Sequence, residues 1–229
     1  MKYLRLITAF LLVCIFTNPI AIGSKPVSKM SYTYLALGDS YAIGESVPAK
    51  ENFPNQTVQL LHNSGFNFQS PEIVAKTGWT TDELQSTINK HKFLPYYDFV
   101  TLLIGVNNQY RGRTIENYQI EFESLLQQAI KFAGNKNNHV IVLSIPDWGV
   151  TPYAEGRDRK KIAEEINAYN NTNKSIAEKY KVHYIDITAG TRESAKDPTL
   201  LTNDGLHQSA KEYARWAKKV SDIIQTELK

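Results

Sequence analysis

Tyr34-Leu-Ala-Leu-Gly-Asp-Ser-Tyr-Ala-Ile-Gly-Glu-Ser-Val47 decides how the rest of this sequence is read. Its first four residues form a short apolar run that stops abruptly at Gly38-Asp39-Ser40. After a second glycine, Gly44, the residues turn toward a helical pattern. An apolar strand ending in a tight glycine turn with small polar residues describes the carboxyl end of a strand in an open α/β sheet, where such sheets place their ligands. A serine there presents its hydroxyl outward and leaves its backbone N–H free to face a bound oxygen. A Gly-Asp-Ser turn is by itself ordinary turn chemistry, so its meaning depends on what the remaining chain supplies.

Downstream, strand-like and helix-like runs alternate. Tyr32 to Leu37 reads as the first strand, Phe53 to Asn63 as a helix closed by Ser64-Gly65, and Phe68 to Ala75 as the second strand. Thr80 with Glu83 three residues on has the form of a capping box opening the next helix. Tyr97 to Ile104 is almost continuously apolar, as a central strand covered on both faces must be. A long amphipathic helix is expected from Thr114 to Ala133, a fourth strand from Val140 to Ile145, a long helix from Arg159 to Tyr180 and a fifth strand from Val182 to Ile187. Thr188 to Asn203 reads as a polar loop and residues 209–228 as the terminal helix. This alternation predicts an α/β protein, a three-layer α/β/α sandwich on a central five-stranded parallel sheet.

The chain has 229 residues, which suits one domain with a single core, and no linker marks a second. Residues 1–23 read separately. Lys2 and Arg5 precede an apolar run from Leu6 to Phe16, Thr17-Asn18-Pro19 breaks it, and Ala21 and Gly23 supply the small residues that cleavage before Ser24 requires. The run is too short to span a bilayer. The expectation is a secretory signal peptide over 1–23, a domain over 24–229, and an exported product, periplasmic or extracellular, with no stable membrane insertion after cleavage. The single cysteine, Cys14, lies in the leader, so disulfides and thiolate chemistry are excluded from the mature chain. Without Lys2 and Arg5, 24 basic residues face 23 acidic ones, which gives no nucleic-acid footprint. No His-Glu-X-X-His, no metal-ligand cluster and no glycine-rich phosphate loop appears, so no metal or cofactor is expected.

Polar candidates collect at the ends of the predicted strands. Ser40 follows the first, Gly78 the second, Asn107 the third, and Asp204 and His207 lie past the fifth. In a parallel sheet these ends share one rim. Gly38-Asp39-Ser40, Gly78, Gly105-Val106-Asn107 and Asp204-Gly-Leu-His207, in this order, resemble the four blocks of the SGNH (GDSL-type) serine hydrolases over nearly all of residues 24–229. The resemblance implies the flavodoxin-like fold of that family and hydrolysis of carboxylic esters. In that chemistry Ser40 is the nucleophile, His207 the base and Asp204 the group orienting it. The backbone N–H groups of Ser40 and Gly78 and the amide of Asn107 would hold the oxyanion. The family's third block reads Gly-X-Asn-Asp, whereas this chain has Asn108 in the last place. Residue 42 is alanine, so Ser40 lacks the Gly-X-Ser-X-Gly elbow of the other large α/β hydrolase group.

Trp79 and Tyr110 flank the oxyanion candidates and are expected substrate contacts. Asp147, in Pro146-Asp-Trp-Gly149, is either a structural turn residue or part of the substrate wall, and Glu45 is either solvated or involved in the site. The blocks leave the substrate open among lysophospholipid, acyl ester and acetylated carbohydrate. Two other functions use the same residues: an exported glycan- or lipid-binding protein with a decayed site, for which Asn108 speaks, and an acyltransferase. Oligomeric state is not encoded in these patterns.

Overall fold

Five apolar runs become five strands in the computed structural model, which describes residues 31–229. They are β1 (Tyr34–Gly38), β2 (Glu72–Ala75), β3 (Phe99–Leu103), β4 (Val140–Leu143) and β5 (His183–Ile185). All pairings are parallel, in the spatial order β2-β1-β3-β4-β5. Every residue of β1, β3 and β4 is buried, which explains why these strands carry no polar alternation. The expected signal peptide over 1–23 and its junction at residue 24 lie outside the described residues.

Among the described residues, eight α-helices surround the sheet: α1 (Ser40–Ile43), α2 (Phe53–Asn63), α3 (Thr81–Ile88), α4 (Val106–Tyr110), α5 (Ile115–Phe132), α6 (Arg159–Lys179), α7 (Thr188–Arg192) and α8 (Ala210–Glu227). α2, α5 and α6 start where their sequences supply caps. Asn52 accepts the Asn55 N–H at the start of α2, Thr114 that of Asn117 at α5, and Asp158 that of Lys161 at α6. The Thr80–Glu83 box forms as expected, with Glu83 accepting the Thr80 N–H at 2.9 Å. In α8 Tyr213, Trp216, Ala217, Val220 and Ile224 are buried, one stripe at helical spacing. α2 packs against α8, while α3, α5 and α6 pack in sequence as a second group. The product is the expected three-layer sandwich.

Several boundaries differ for physical reasons. The second strand begins at Glu72 and not at Phe68, because Pro71 has no N–H for a ladder; Phe68 makes only an isolated bridge to Tyr32. β4 ends at Leu143, since the Asn170 side chain takes both backbone groups of Ile145, at 2.8 and 3.1 Å. The expected loop Thr188–Asn203 contains α7 and two 3-10 turns, Glu193–Ala195 and Pro198–Leu200. α1 and α4, four and five residues long, are too short to show a period in sequence.

The order 2-1-3-4-5 reverses direction between β1 and β3, and the crevice at such a switch point is where these sheets bind ligands. Gly38 closes β1 there. A Cβ on it would lie 2.5 Å from the Leu103 carbonyl oxygen and 2.7 Å from Ala42 Cβ. Gly38→Ala is therefore expected to lower the unfolding free energy by about 1–3 kcal/mol. Urea denaturation measures it, and an unchanged midpoint would show that β1 and β3 can part without cost.

Candidate active site

Asp39 follows β1 in extended conformation and its Oδ1 accepts the Tyr41 N–H at 3.0 Å, capping α1. That cap sets Ser40 as the first residue of α1 with its side chain over the rim. Ser40 Oγ lies 2.9 Å from His207 Nε2. His207 Nδ1 lies 2.7 Å from Asp204 Oδ2. With Nδ1–H given to the carboxylate, Nε2 presents its lone pair to the Ser40 hydroxyl, as base and nucleophile require. The three side chains meet although 167 positions separate Ser40 from His207.

The loop bearing Asp204 and His207 is closed by its own backbone. Thr202 N donates to His207 O at 2.9 Å, Gly205 N to Thr202 O at 3.1 Å, and Ser209 N to Leu200 O at 2.8 Å. Asp204 Oδ1 also accepts from Thr202 Oγ1, Leu206 N and His207 N, and Oδ2 from Ser46 Oγ at 2.7 Å. Partial burial alone would raise this carboxyl, but the hydrogen bonds from Ser46, His207 and Leu206 outweigh it and hold Asp204 far below the usual carboxylate range. Asp204 thus stays an anion facing the imidazole. Behind the imidazole, the Tyr41 ring centroid is 5.0 Å away, and Trp216 backs Tyr41 in turn.

Ser40, Gly78, Asn107 and His207 line one cavity of about 190 Å³. Gly78 has φ +82°, a conformation that favours glycine. Asn107 gives one amide hydrogen to the Trp79 carbonyl at 3.0 Å, leaving the second N–H available to the cavity. Tyr110, Trp148, Tyr153 and Leu206 form the walls. Tyr110 and Tyr153 join their hydroxyls at 3.2 Å, and Trp148 meets the Tyr110 ring edge to face at 5.3 Å. The carbonyl of Gly205 accepts the Tyr153 N–H at 3.1 Å, so the aromatic wall is tied to the histidine loop.

Two of the expected contacts fall elsewhere. Asp147 does not form the substrate wall: it is buried, Oδ1 accepts the Gly149 N–H at 2.9 Å, and Oδ2 accepts from Arg192 Nε at 2.8 Å. A buried carboxylate needs such partners, and these turn it away from the cavity. Its neighbour Trp148 lines the cavity instead. The Trp79 side chain packs against the core and is not among the lining residues; only its carbonyl enters the site, through Asn107. Tyr110 is where it was expected. Glu45 accepts a hydrogen bond from the Thr77 hydroxyl, next to Gly78. Trp148, which shares the Pro-Asp-Trp-Gly run with Asp147, is the member of that run at the rim; Ser46, Tyr153 and Leu206 carry no local signal in the sequence.

Residues 36–215 match the family model of the GDSL-like lipase/acylhydrolases. The chain belongs to that family. A search of curated protein sequences gave no match. Among solved structures, a lipase/acylhydrolase from Enterococcus faecalis is 19% identical with a TM-score of 0.66, over 86% of this chain and 96% of that one. Axe2, an acetylxylan esterase from Geobacillus stearothermophilus, gives the same identity, score and coverage. The psychrotrophic esterase EstA from Pseudoalteromonas sp. is 17% identical with a TM-score of 0.62, over 86% and 99%. These likenesses are of fold. Membership of the family makes the chain an ester hydrolase by class.

The family's Gly-Asp-Ser block holds one further ionisable group. Asp39 is fully buried and its Oδ2 has no hydrogen-bond partner among the described residues. Burial pushes its carboxyl up to about 7, against the lesser opposing effect of the Tyr41 N–H. Between about pH 4 and pH 7 the folded protein then binds a proton that the unfolded chain has released, so stability falls as pH rises through that window and levels off above it. Asp39→Asn keeps the cap oxygen and removes the titration. Relative to the parent, the variant is expected to gain up to roughly 4 kcal/mol between pH 4 and pH 8. Urea unfolding across that range measures the difference, and a constant offset would show that Asp39 is ionised throughout.

Proposed function

We propose that this protein is a serine esterase that hydrolyses short-acyl carboxylic esters through an acyl-enzyme on Ser40. The observation that carries this reading is the unbroken array Ser40 Oγ, His207 Nε2, His207 Nδ1, Asp204 Oδ2, at 2.9 and 2.7 Å, opening into the cavity that Gly78 and Asn107 line. Ser40 Oγ adds to the ester carbonyl carbon as its proton passes to His207 Nε2. The carbonyl oxygen becomes an oxyanion, held by the N–H groups of Ser40 and Gly78 and the free N–H of Asn107. When the intermediate collapses, the alcohol leaves with the proton from His207. Water, activated by the same nitrogen, then adds to the acyl-enzyme and releases the acid. Asp204 stabilises the imidazolium formed in both halves.

Size and lining narrow the substrate. A cavity of about 190 Å³ is only modestly larger than the roughly 150 Å³ that takes a benzene ring, which favours acetyl and other short acyl groups over a long chain. The lining holds no carboxylate, lysine or arginine side chain, and Tyr41, Val106, Tyr110, Trp148, Tyr153 and Leu206 dominate it. Tyr110 and Tyr153 are 44% and 48% exposed at the mouth, offering ring faces on which a sugar ring of the alcohol can lie. An acetylated carbohydrate is thus the favoured substrate, and the 1–23 leader would deliver the enzyme outside the cell.

Two measurements test this. The purified protein should release nitrophenol from p-nitrophenyl acetate and butyrate faster than from the octanoate, and Ser40→Ala should abolish release; equal rates for parent and variant would remove Ser40 from the mechanism. Tyr153→Ala should raise KM for an acetylated pyranoside about three- to tenfold, the value of a ring contact, and leave methyl acetate unaffected. Equal changes for both esters would dismiss the aromatic mouth as a sugar platform.

A further inference from the structure

Gly78 has a problem that its neighbours must solve. A glycine's two backbone torsions are only weakly restrained by sterics, yet a useful oxyanion donor has to be held in direction to within tenths of an ångström. The loop from Thr77 to Thr81 is held at Thr80 by Glu83 and at Thr81 by Glu121, and the tethers on its middle carbonyls come from α4 and its capping residue Arg111. Arg111 Nη2 donates to the Gly78 carbonyl at 2.7 Å. Asn107 Nδ2 donates to the next carbonyl, that of Trp79, at 3.0 Å. Asn108 is fully buried and grips Thr81 twice: its Oδ1 accepts the Thr81 N–H at 3.1 Å and its Nδ2 donates to Thr81 Oγ1 at 2.6 Å. On the other side Thr77 is held by Glu45. Arg111 is itself steadied by Glu83 Oε2, at 3.2 Å from Nη1.

We infer that Arg111 and Asn108 are positioning residues for the oxyanion site: they lock the Gly78 loop to the helix that carries Asn107, and so fix the spacing of the two donors. The inference rests on the esterase reading above. Arg111 is half-exposed and its ion pair with Glu83 is open to water, so the pair itself adds little to folding stability. Its hydrogen bond to Gly78 instead restrains the one residue in the loop that lacks a side chain to restrain it. The residue touches neither Ser40 nor His207, and its loss should leave the base and its carboxylate as they are.

Arg111→Met removes the donor from a partly exposed side chain and should fold. Its kcat on p-nitrophenyl acetate should fall about ten- to a hundredfold, the cost of misplacing a reacting group by a fraction of an ångström or more, with KM within about twofold of the parent. The rate at which an alkyl p-nitrophenyl phosphonate forms its tetrahedral adduct on Ser40 should fall by the same factor. The pH profile of kcat/KM and the thermal midpoint should stay put. Arg111→Lys, which keeps the charge and can give a single hydrogen bond, should recover part of the loss. Asn108→Ala should show the same kinetic pattern with a lower thermal midpoint. Hydrogen exchange over residues 76–81 reads the tether without any turnover and should quicken in Arg111→Met. Unchanged exchange, or parental kcat and phosphonylation in Arg111→Met, overturns the positioning role, as does a rise in KM alone. An inactive parent whose exchange still responds to Arg111→Met keeps the tether and overturns only the esterase reading.

Discussion

All five strands run the same way, and the rest of the molecule depends on that constraint. A parallel sheet delivers every carboxyl end to one rim, so groups that the chain separates widely need only follow a strand to meet. Ser40 arrives behind β1, Gly78 behind β2 and Asn107 behind β3, with Asp204 and His207 on the excursion after β5. The order 2-1-3-4-5 adds the crevice, because the connections out of β1 and β3 leave in opposite directions. Gly38 lets those two strands approach closely at that point. Of Ser40, Asn107, Asp204 and His207, only Asp204 and His207 are local in sequence, and that pair is held in one self-closed loop.

Convergence on a rim supplies proximity and not orientation. Orientation comes largely from α4, whose residues face different walls in succession. Asn107 holds the Trp79 carbonyl, Asn108 the start of α3, Gln109 the Trp148 indole at 2.7 Å, and Tyr110 the Tyr153 hydroxyl, while Arg111 takes the Gly78 carbonyl. Five consecutive side chains thus connect the loop after β2 with the loop after β4. A helix this short has little stability of its own. It is defined by what it grips, and the walls it grips are aligned by it.

Much of this was legible because it is periodic or local. Buried parallel strands announce themselves as unbroken apolar runs, and the long helices by caps and a single apolar stripe, as in α8. The Asp204–His207 spacing can be read without a structure because three residues suffice to bring a carboxylate back to an imidazole. What could not be read is set by long-range partners. Nothing near Asp147 reveals Arg192, whose guanidinium draws the carboxylate inward and leaves Trp148 facing the cavity. Trp79 is marked in the sequence only by its place beside Gly78, and it is its carbonyl that meets Asn107. Ser46 and Arg111 lie in turns with no pattern, and α4 is shorter than a period can show.

The amide at position 108, where the family pattern has an acid, follows from the same network. Thr81 has one hydroxyl proton, and it goes to Glu121 on α5. The Thr81 oxygen is then left as an acceptor, and Asn108 Nδ2 fills it while Asn108 Oδ1 takes the Thr81 N–H. A carboxylate at 108 would meet the Thr81 N–H equally well, but would have no hydrogen for Thr81 Oγ1. The single hydroxyl proton would have to serve two acids, leaving one of them short of a partner where residue 108 is fully buried. Position 108 and position 121 therefore form one unit: with Glu121 present, the amide is the residue that completes the hydrogen bonds. Seen this way, Asn108 is no sign of a decayed site. It completes the hydrogen bonds of a threonine whose own proton goes to Glu121.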